Sequence, residues 1–221
     1  MNALEIRGLT KRRGDFALQG LDLTLPAGCI MGLIGENGAG KSTTIRLILN
    51  ALSRDGGTVA VYGKDNRVLT PLEREDIGAV LDEVGLPEYM TARQIGRMMA
   101  GIFARWQPEV YRGYLRRLAL PEDKPFRDFS RGMKMKLGLA AALSHQPKLL
   151  LLDEATSGLD PVVRDEILTI FADFTRDEEH AVLISSHIVS DLEKICDYIA
   201  FLHKGRLLLC EEKDRLTEEY G

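Results

Sequence analysis

The chain has 221 residues, of which 45% are hydrophobic and 28% charged, and its formal net charge is −4. This balance excludes a disordered chain, which would be less apolar, and a membrane-embedded chain, which would carry fewer charges. Its apolar runs reach about seven residues, whereas a membrane-spanning helix needs about 20. The length indicates one large domain or a domain with an inserted lobe, and the mild acidity gives no electrostatic reason to expect nucleic-acid binding.

The cysteines and the N-terminus both favour a reducing compartment. Cys29, Cys196 and Cys210 are odd in number and far apart, which argues against a disulfide framework or a zinc site. The first residues show no basic region followed by an apolar stretch, so no secretion signal is predicted. Composition therefore predicts a cytosolic globular protein.

The first third of the chain alternates strands with a helix. Leu4–Leu9 and Leu21–Leu25 alternate apolar with polar residues, which is typical of half-exposed antiparallel strands. Cys29–Ile34 is almost continuously apolar, as expected of a strand buried on both faces. A helix is predicted over Lys41–Leu52 from its apolar spacing, and two short strands then follow, at Thr58–Tyr62 and Ile77–Leu81.

From about Pro87 to Gln146 the pattern is helical. Thr91 is placed to cap one helix and Pro108 to begin another. Beyond Gln146 strands and helices alternate again: the predicted strands are Leu149–Leu152, Ala181–Ser185, Tyr198–Leu202 and Arg206–Cys210, and the predicted helices are Pro161–Arg176, Ile188–Cys196 and a short polar helix to Tyr220. The pattern predicts an α/β core over residues 1–86 and 147–221, interrupted by a helical lobe over about 87–146.

A glycine-rich loop follows the buried strand and precedes the helix at Lys41. It fits the pattern G-x(4)-G-K-[ST], whose glycines let successive backbone N–H groups point at phosphate oxygens. We expect Lys41 to meet the β- and γ-phosphates, Ser42 to bind Mg²⁺ and Thr43 to reach the α-phosphate. The predicted phosphate-binding residues are Gly35, Glu36, Asn37, Gly38, Ala39, Gly40, Lys41, Ser42 and Thr43.

Two adjacent acids end the apolar strand Leu149–Leu152. If this strand lies next to the phosphate-loop strand, Asp153 and Glu154 meet the phosphates at one sheet edge. Asp153 suits Mg²⁺, and Glu154 suits the role of base toward a water that attacks the γ-phosphate. In isolation such acids are more often a solvated strand end, but the phosphate loop upstream favours the functional interpretation.

Two further motifs have an ordinary structural explanation and a functional one. Ser130, in the segment Phe129–Met133, is explained as a simple helix N-cap, or as an anion contact for a nucleotide held by another subunit. His187 ends a predicted strand, where a histidine is usually structural. At the same sheet edge as two phosphate-site motifs, it is more probable as a γ-phosphate contact.

Together these residues resemble one family closely, the nucleotide-binding subunits of ATP-binding-cassette (ABC) transporters. Gly35–Thr43 looks like the Walker A loop, Leu149–Glu154 like Walker B, and His187 like the switch histidine. Phe129–Met133 looks like the family signature and Ser157–Asp160 like the D-loop. The resemblance covers essentially the whole chain and implies a P-loop NTPase fold: a RecA-like core, an N-terminal antiparallel β-subdomain and an α-helical subdomain.

The resemblance also implies partners and a mechanism. It implies a head-to-tail dimer, of two copies or of this chain and a related one, in which Ser130, Gly132 and Asp160 of one subunit meet ATP held by the other. A polytopic membrane permease would be the second partner, with its coupling helix docked near Glu83–Ala104, so the protein is expected at the cytoplasmic face of the membrane. The form of the signature is similar to that of the ABC-2-type drug and antibiotic exporters.

The chain departs from the family pattern in three regions. Arg13 occupies the place of the usual adenine-stacking aromatic residue, and either its guanidinium or Phe16 is a candidate for that role. Asp82 occupies the place of the usual Gln, where a carboxylate is able to ligate Mg²⁺ but adds negative charge. In the signature, Phe129, Arg131 and Met133 replace the usual Leu, Gly and Gln.

The predicted function is ATP hydrolysis that powers transport, most simply export, through the separate permease. The catalytic residues would be Glu154, His187 and Lys41, with Mg²⁺ held by Ser42, Asp153 and Asp82. The alternatives are a soluble ABC-type ATPase without a transport role and, less favoured, a metabolic kinase with a phosphate loop, which would not need Phe129–Met133.

Overall fold

The structure is a computed structural model that describes the backbone of residues 1–220 and the side chains of all of them except Ser190, Asp191, Leu216, Thr217, Glu219 and Tyr220. Two sheets contain the strands of this part of the chain. The strands are β1 (Asn2–Arg13), β2 (Phe16–Pro26), β3 (Ile30–Ile34), β4 (Gly56–Val61), β5 (Lys64–Asp65), β6 (Ile77–Val80), β7 (Leu149–Asp153), β8 (Ala181–Ser186), β9 (Tyr198–His203) and β10 (Arg206–Glu212).

The helices follow the predicted order except for the short helix Pro71–Arg74, which was not predicted. They are α1 (Lys41–Ile48), α2 (Pro71–Arg74), α3 (Ala92–Ala100), α4 (Pro108–Arg117), α5 (Arg131–Leu143), α6 (Pro161–Phe174), α7 (Val189–Ile195) and α8 (Lys213–Tyr220), with a 3₁₀ turn at Phe126–Asp128. The predicted starts of α3 and α4 are confirmed. Thr91 and Gln94 form a reciprocal capping box, and Pro108 occupies the first turn of α4, where its missing N–H costs nothing. No helix in the described part of the chain is long and apolar enough to cross a membrane.

The larger sheet has the strand order β10-β9-β3-β8-β7-β6 and is parallel except for β10. The predicted pairing of β7 with the phosphate-loop strand β3 is wrong, because β8 lies between them. Apolar continuity reports how deeply a strand is buried, not which strand pairs with it, and β3, β7 and β8 are all buried throughout. Since the three strands are parallel, their carboxyl ends still share one edge, and the predicted meeting of the two motifs is kept.

The smaller sheet is antiparallel, in the order β2-β1-β4-β5. Its first hairpin extends well beyond the predicted Leu4–Leu9, and at its tip Arg13 pairs with Phe16. The last three residues of β1, Lys11, Arg12 and Arg13, are all basic, so the apolar alternation stops before the strand does. Helix α1 packs between the two sheets, and Ile45 and Ile48 join both sheets in one apolar cluster. The predicted fold class, an α/β P-loop fold with an antiparallel sheet, is confirmed.

Helix α5 attaches the helical region to the core. Gly138 lies so close to the segment after β6 that a Cβ there would be 3.0 Å from Val84 Cγ1. Buried residues of α4 and α5 share one apolar cluster with Leu150 and Leu152 of β7. The division into residues 1–86 with 147–221 and a lobe at 87–146 therefore stays a prediction about folding units, since the apolar core is continuous across it.

Candidate functional site

The phosphate loop connects β3 to α1 by a backbone path that depends on glycine. Gly40, just before α1, has φ +116°, a conformation that L side chains rarely adopt. A Cβ there would also lie 2.8 Å from Phe16 Cζ, and a Cβ at Gly35 would overlap the carbonyl oxygen of Leu202. The loop is therefore held against β9 and the β1–β2 hairpin, and the N-terminus of α1 faces the cleft.

Lys41 is 5% exposed and has three acceptors. Its Nζ donates to the carbonyl oxygens of Gly35 at 2.7 Å and Glu36 at 3.3 Å, and it pairs with Glu154 Oε1 at 3.1 Å. A buried ammonium must be compensated by such partners. Phosphate oxygens brought into the loop would offer Lys41 stronger, charge-assisted bonds in the same place.

Asp153, at the end of β7, is 2% exposed. Its Oδ1 accepts from Ser42 Oγ at 3.1 Å and from Ser185 Oγ at 2.7 Å. The two residues predicted to hold Mg²⁺ are thus in contact. Mg²⁺ prefers oxygen ligands, and in nucleotide sites it takes most of its coordination shell from phosphate and water. The carboxylate of Asp153 and the hydroxyl of Ser42 therefore fit this ion. The positioning role of Ser185 was not predicted from the sequence, which had indicated only His187 at this strand end.

Glu154 turns its carboxylate back over the loop. Its φ is +53°, in the left-handed region that costs energy for a residue with a side chain. Its backbone N–H donates to Ser185 Oγ at 3.0 Å, which holds this conformation. The two carboxylate oxygens then divide between Lys41 Nζ at 3.1 Å and His187 Nδ1 at 2.7 Å. The three residues predicted to be catalytic therefore form one contiguous group.

A cleft of about 400 Å³ lies over this group. Arg13 and Phe16 both line it, so the structure leaves both candidates for adenine stacking in place. Phe16 packs on the loop at Gly40, whereas Arg13 is exposed at the hairpin tip. The lining residues are Arg13, Phe16, Glu36, Asn37, Gly38, Gly40, Lys41, Ser42, Thr43, Asp82 and Glu154.

Asp82 also lines the cleft, but its described polar contact points elsewhere. Its Oδ1 accepts from Arg131 Nη2 at 2.8 Å, whereas Ser42 donates to Asp153. The predicted metal-binding group is thus assembled in part: two members touch each other, and the third is paired with the helix α5.

The signature and D-loop residues lie outside the lining of this cleft. Ser130 caps α5, with Oγ accepting from Met133 N at 3.3 Å, as the simpler of its two explanations required. Asp160 likewise caps α6 by accepting from Val163 N at 3.1 Å. Gly132 faces α6, with Val163 Cγ1 3.7 Å from the place of a Cβ. Within one chain these residues have structural roles, and their predicted contact with a nucleotide requires a second chain.

Comparisons with known proteins agree with this geometry. The profile of the family described as "ABC transporter" matches residues 18–157. The bacitracin transport ATP-binding protein BcrA of Enterococcus faecalis is 32% identical over 93% of this chain and 68% of its own length. The lantibiotic transport ATP-binding protein SrtF of Streptococcus pyogenes is 32% identical over 96% of this chain and 91% of its own.

The fold comparison points the same way. A solved ATP-binding subunit of an ABC transporter superposes with a TM-score of 0.88 at 27% identity, covering 99% of this chain and 93% of that one. The resemblance inferred from the motifs is therefore confirmed. The chain belongs to the ABC transporter family, as one of its ATP-binding ATPase domains.

Proposed function

We propose that this chain hydrolyses ATP at Glu154 and thereby powers export by a separate membrane-spanning partner. The observation that carries the proposal is the contact of one carboxylate with both Lys41 and His187 at the carboxyl edge of the sheet. Catalysis of phosphoryl transfer is mainly positioning and charge stabilisation, and this group supplies a base, a cation and an orienting ring.

Lys41 and Glu154 exchange partners when ATP binds. In the structure each neutralises the other, at 3.1 Å. Phosphate oxygens in the loop would take over Lys41, which leaves the Glu154 carboxylate free to accept a proton from a water molecule. His187, still at hydrogen-bond distance from Glu154, would then orient that carboxylate and reach the γ-phosphate.

Ser42 and Asp153 would hold Mg²⁺, with Asp82 as a further candidate. When bound, the ion neutralises charge on the β- and γ-phosphates. Ser185 contributes through Asp153, whose carboxylate it holds at 2.7 Å. Because Asp153 is buried and accepts from two hydroxyls, its orientation is set before the ion arrives.

We propose that two such chains, identical or related, close head to tail around two ATP molecules. The location of Ser130, Gly132 and Asp160 outside the cleft of their own chain supports this arrangement, because a partner would have to bring them to it. Each N-terminus of α5 would then offer its unpaired N–H groups to phosphate across the interface.

We propose that the membrane partner docks in a second groove of the chain. A groove of about 310 Å³ lies between the segment after β6 and helices α3 and α5. Its mostly apolar lining includes Val84, Leu86, Met99 and Phe103, within or next to the predicted docking segment Glu83–Ala104. A short amphipathic helix suits such a groove. The relatives named above for bacitracin and lantibiotic transport support export of an antibiotic-like compound.

Affinity purification of the tagged chain from detergent-solubilised membranes tests the transport role. We expect a polytopic membrane protein to co-purify, and we expect Glu83→Arg, at the groove, to reduce its recovery. Glu178→Arg is the matched control, since Glu178 is exposed at the opposite edge of the sheet, before β8. Recovery of ATPase activity with only soluble partners would favour the ABC-type ATPase without a transport role.

A further inference from the structure

Asp82 lines two cavities. On one side it lines the phosphate cleft together with Lys41 and Ser42. On the other it lines a cavity of about 700 Å³, to which α5 contributes Arg131 and Lys134. A carboxylate in this place has two possible cationic partners: Mg²⁺ with the nucleotide on one side, and the guanidinium of Arg131 on the other.

Arg131 connects helix α5 with two loops of the same chain. It starts helix α5, and its Nη2 lies 2.8 Å from Asp82 Oδ1, in the segment that follows β6. Its Nη1 also lies 3.3 Å from the place where Gly158 would carry a Cβ, in the turn before α6. One planar side chain therefore touches the loop that lines the cleft and the turn that follows Glu154.

Two of the three departures from the family pattern are the residues that meet here. A neutral amide and a glycine are replaced by Asp82 and Arg131, which form an ion pair across 49 positions of sequence. The side chains are 53% and 55% exposed, so the pair contributes little to the stability of the fold. Its weakness means that a divalent cation is able to displace it.

We propose that Arg131 is a positioning residue that holds the carboxylate of Asp82, a residue of the cleft lining, in an ion pair until Mg²⁺ and nucleotide bind. The carboxylate then exchanges the guanidinium for the metal, and the N-terminus of α5 is released from the loop after β6. This inference rests on the proposed function, because it assumes that the cleft binds Mg²⁺ and ATP. It assigns to the two unusual residues one coupled role that neither has alone.

Binding of a fluorescent, non-hydrolysable ATP analogue in EDTA and in Mg²⁺ tests the exchange. The measured quantity is the ratio of the Kd in EDTA to the Kd in Mg²⁺. Removal of the competing guanidinium by Arg131→Ala should raise this ratio about two- to fivefold, the range expected from an exposed ion pair. Asp82→Asn should lower it, and Arg131→Ala in the Asp82→Asn background should leave it at the value of the single Asp82→Asn variant.

Two further variants control for charge and for the general loss of an ion pair. Arg131→Lys keeps the cation and should leave the ratio closer to the parent value than Arg131→Ala does. Arg117→Ala removes an exposed pair with Asp173, which at 3.0 Å joins the end of α4 to α6, and should leave the ratio unchanged. Thermal melting checks that each variant is folded. We expect each to fold, because Arg131 and Arg117 are both exposed.

The inference is overturned if Arg131→Ala gives the parent ratio, or if it changes the ratio equally with and without Asp82. Either result counts only if the parent binds the analogue and Lys41→Ala weakens this binding. Under that condition the cleft binds nucleotide, and the proposed function stands although the inference fails. If the parent does not bind the analogue in Mg²⁺, the proposed function fails, and this inference fails with it.

Discussion

The phosphate end of the cleft and the Asp82–Arg131 contact are built on opposite principles. At the phosphate end Lys41, Asp153 and Ser185 are at most 5% exposed, and each polar group has a partner inside the protein. Asp82 and Arg131 meet with more than half of each side chain exposed. A buried network leaves each residue type little freedom, because an unpaired group there is costly, whereas an exposed pair is gained or lost cheaply. This difference accounts for two of the departures from the family pattern, Asp82 and Arg131, which lie at the exposed pair.

The largest effect is expected at the buried end, from Glu154→Gln. The amide is nearly isosteric but does not serve as a base, so turnover should fall by at least about 10²-fold. ATP-dependent dimers should persist and become easier to isolate by size-exclusion chromatography. Glu178→Gln, on an exposed loop, is the control. Hydrolysis at the parental rate in the Glu154→Gln variant would show that another group is the base.

Lys41→Ala should have the next largest effect, on binding rather than on chemistry alone. Loss of a charge-assisted contact to phosphate should weaken nucleotide affinity by about tenfold or more, measured by titration with a fluorescent nucleotide. Lys148→Ala is matched to it, because Lys148 also pairs with a glutamate, Glu179 at 2.6 Å, but on the surface. Unchanged affinity in Lys41→Ala would refute the account of the loop given above.

The sequence predicted what is local. The glycine loop, the apolar strand before it and the Thr91 cap each occupy a few consecutive residues. The residue types in each are typical of one local backbone structure. The pair at 153–154 was predicted to reach the loop for a reason that is only partly right. Its strand lies one position further away than expected, and the parallel direction of the strands still brings it to the same edge.

Contacts between distant exposed residues were beyond prediction. Nothing in the pattern around Asp82 or Arg131 indicates that they pair, because both types occur on any solvated surface. The Ser185 contact with Asp153 was missed for another reason: it follows from β7 pairing with β8, and strand order is not contained in apolar periodicity. Composition had suggested a cytosolic protein, and it was the family resemblance of the motifs that refined this to a proposed place at the membrane surface.

A smaller effect tests the exposed end of the comparison. If the Arg13 guanidinium stacks on adenine, Arg13→Ala should weaken ATP binding about two- to fivefold and leave the binding of inorganic triphosphate unchanged. The comparison of the two ligands separates base recognition from the charge of the residue. No effect on ATP would point to Phe16, which faces the same cleft, or to the absence of stacking.

The smallest effect is expected at His145, a buried residue outside the lining of the phosphate cleft, and it concerns the stability of the fold. His145 is 2% exposed, stacks on Phe103 at 4.2 Å, and has its Nδ1 3.1 Å from the carbonyl oxygen of Glu75. Burial lowers the pKa of His145, so the unfolded chain takes up a proton at a higher pH than the folded chain does. The contribution of His145 to stability is therefore complete above the pKa that it has in the unfolded chain, and it decreases as the pH falls below that pKa.

His145→Phe tests this expectation, because it keeps the stacking and removes the titrating group. Between pH 7.5 and pH 5.5 its Tm should decrease less than that of the parent, by a difference on the order of 2 °C. An equal decrease in both proteins would mean that this buried ring does not contribute to acid sensitivity.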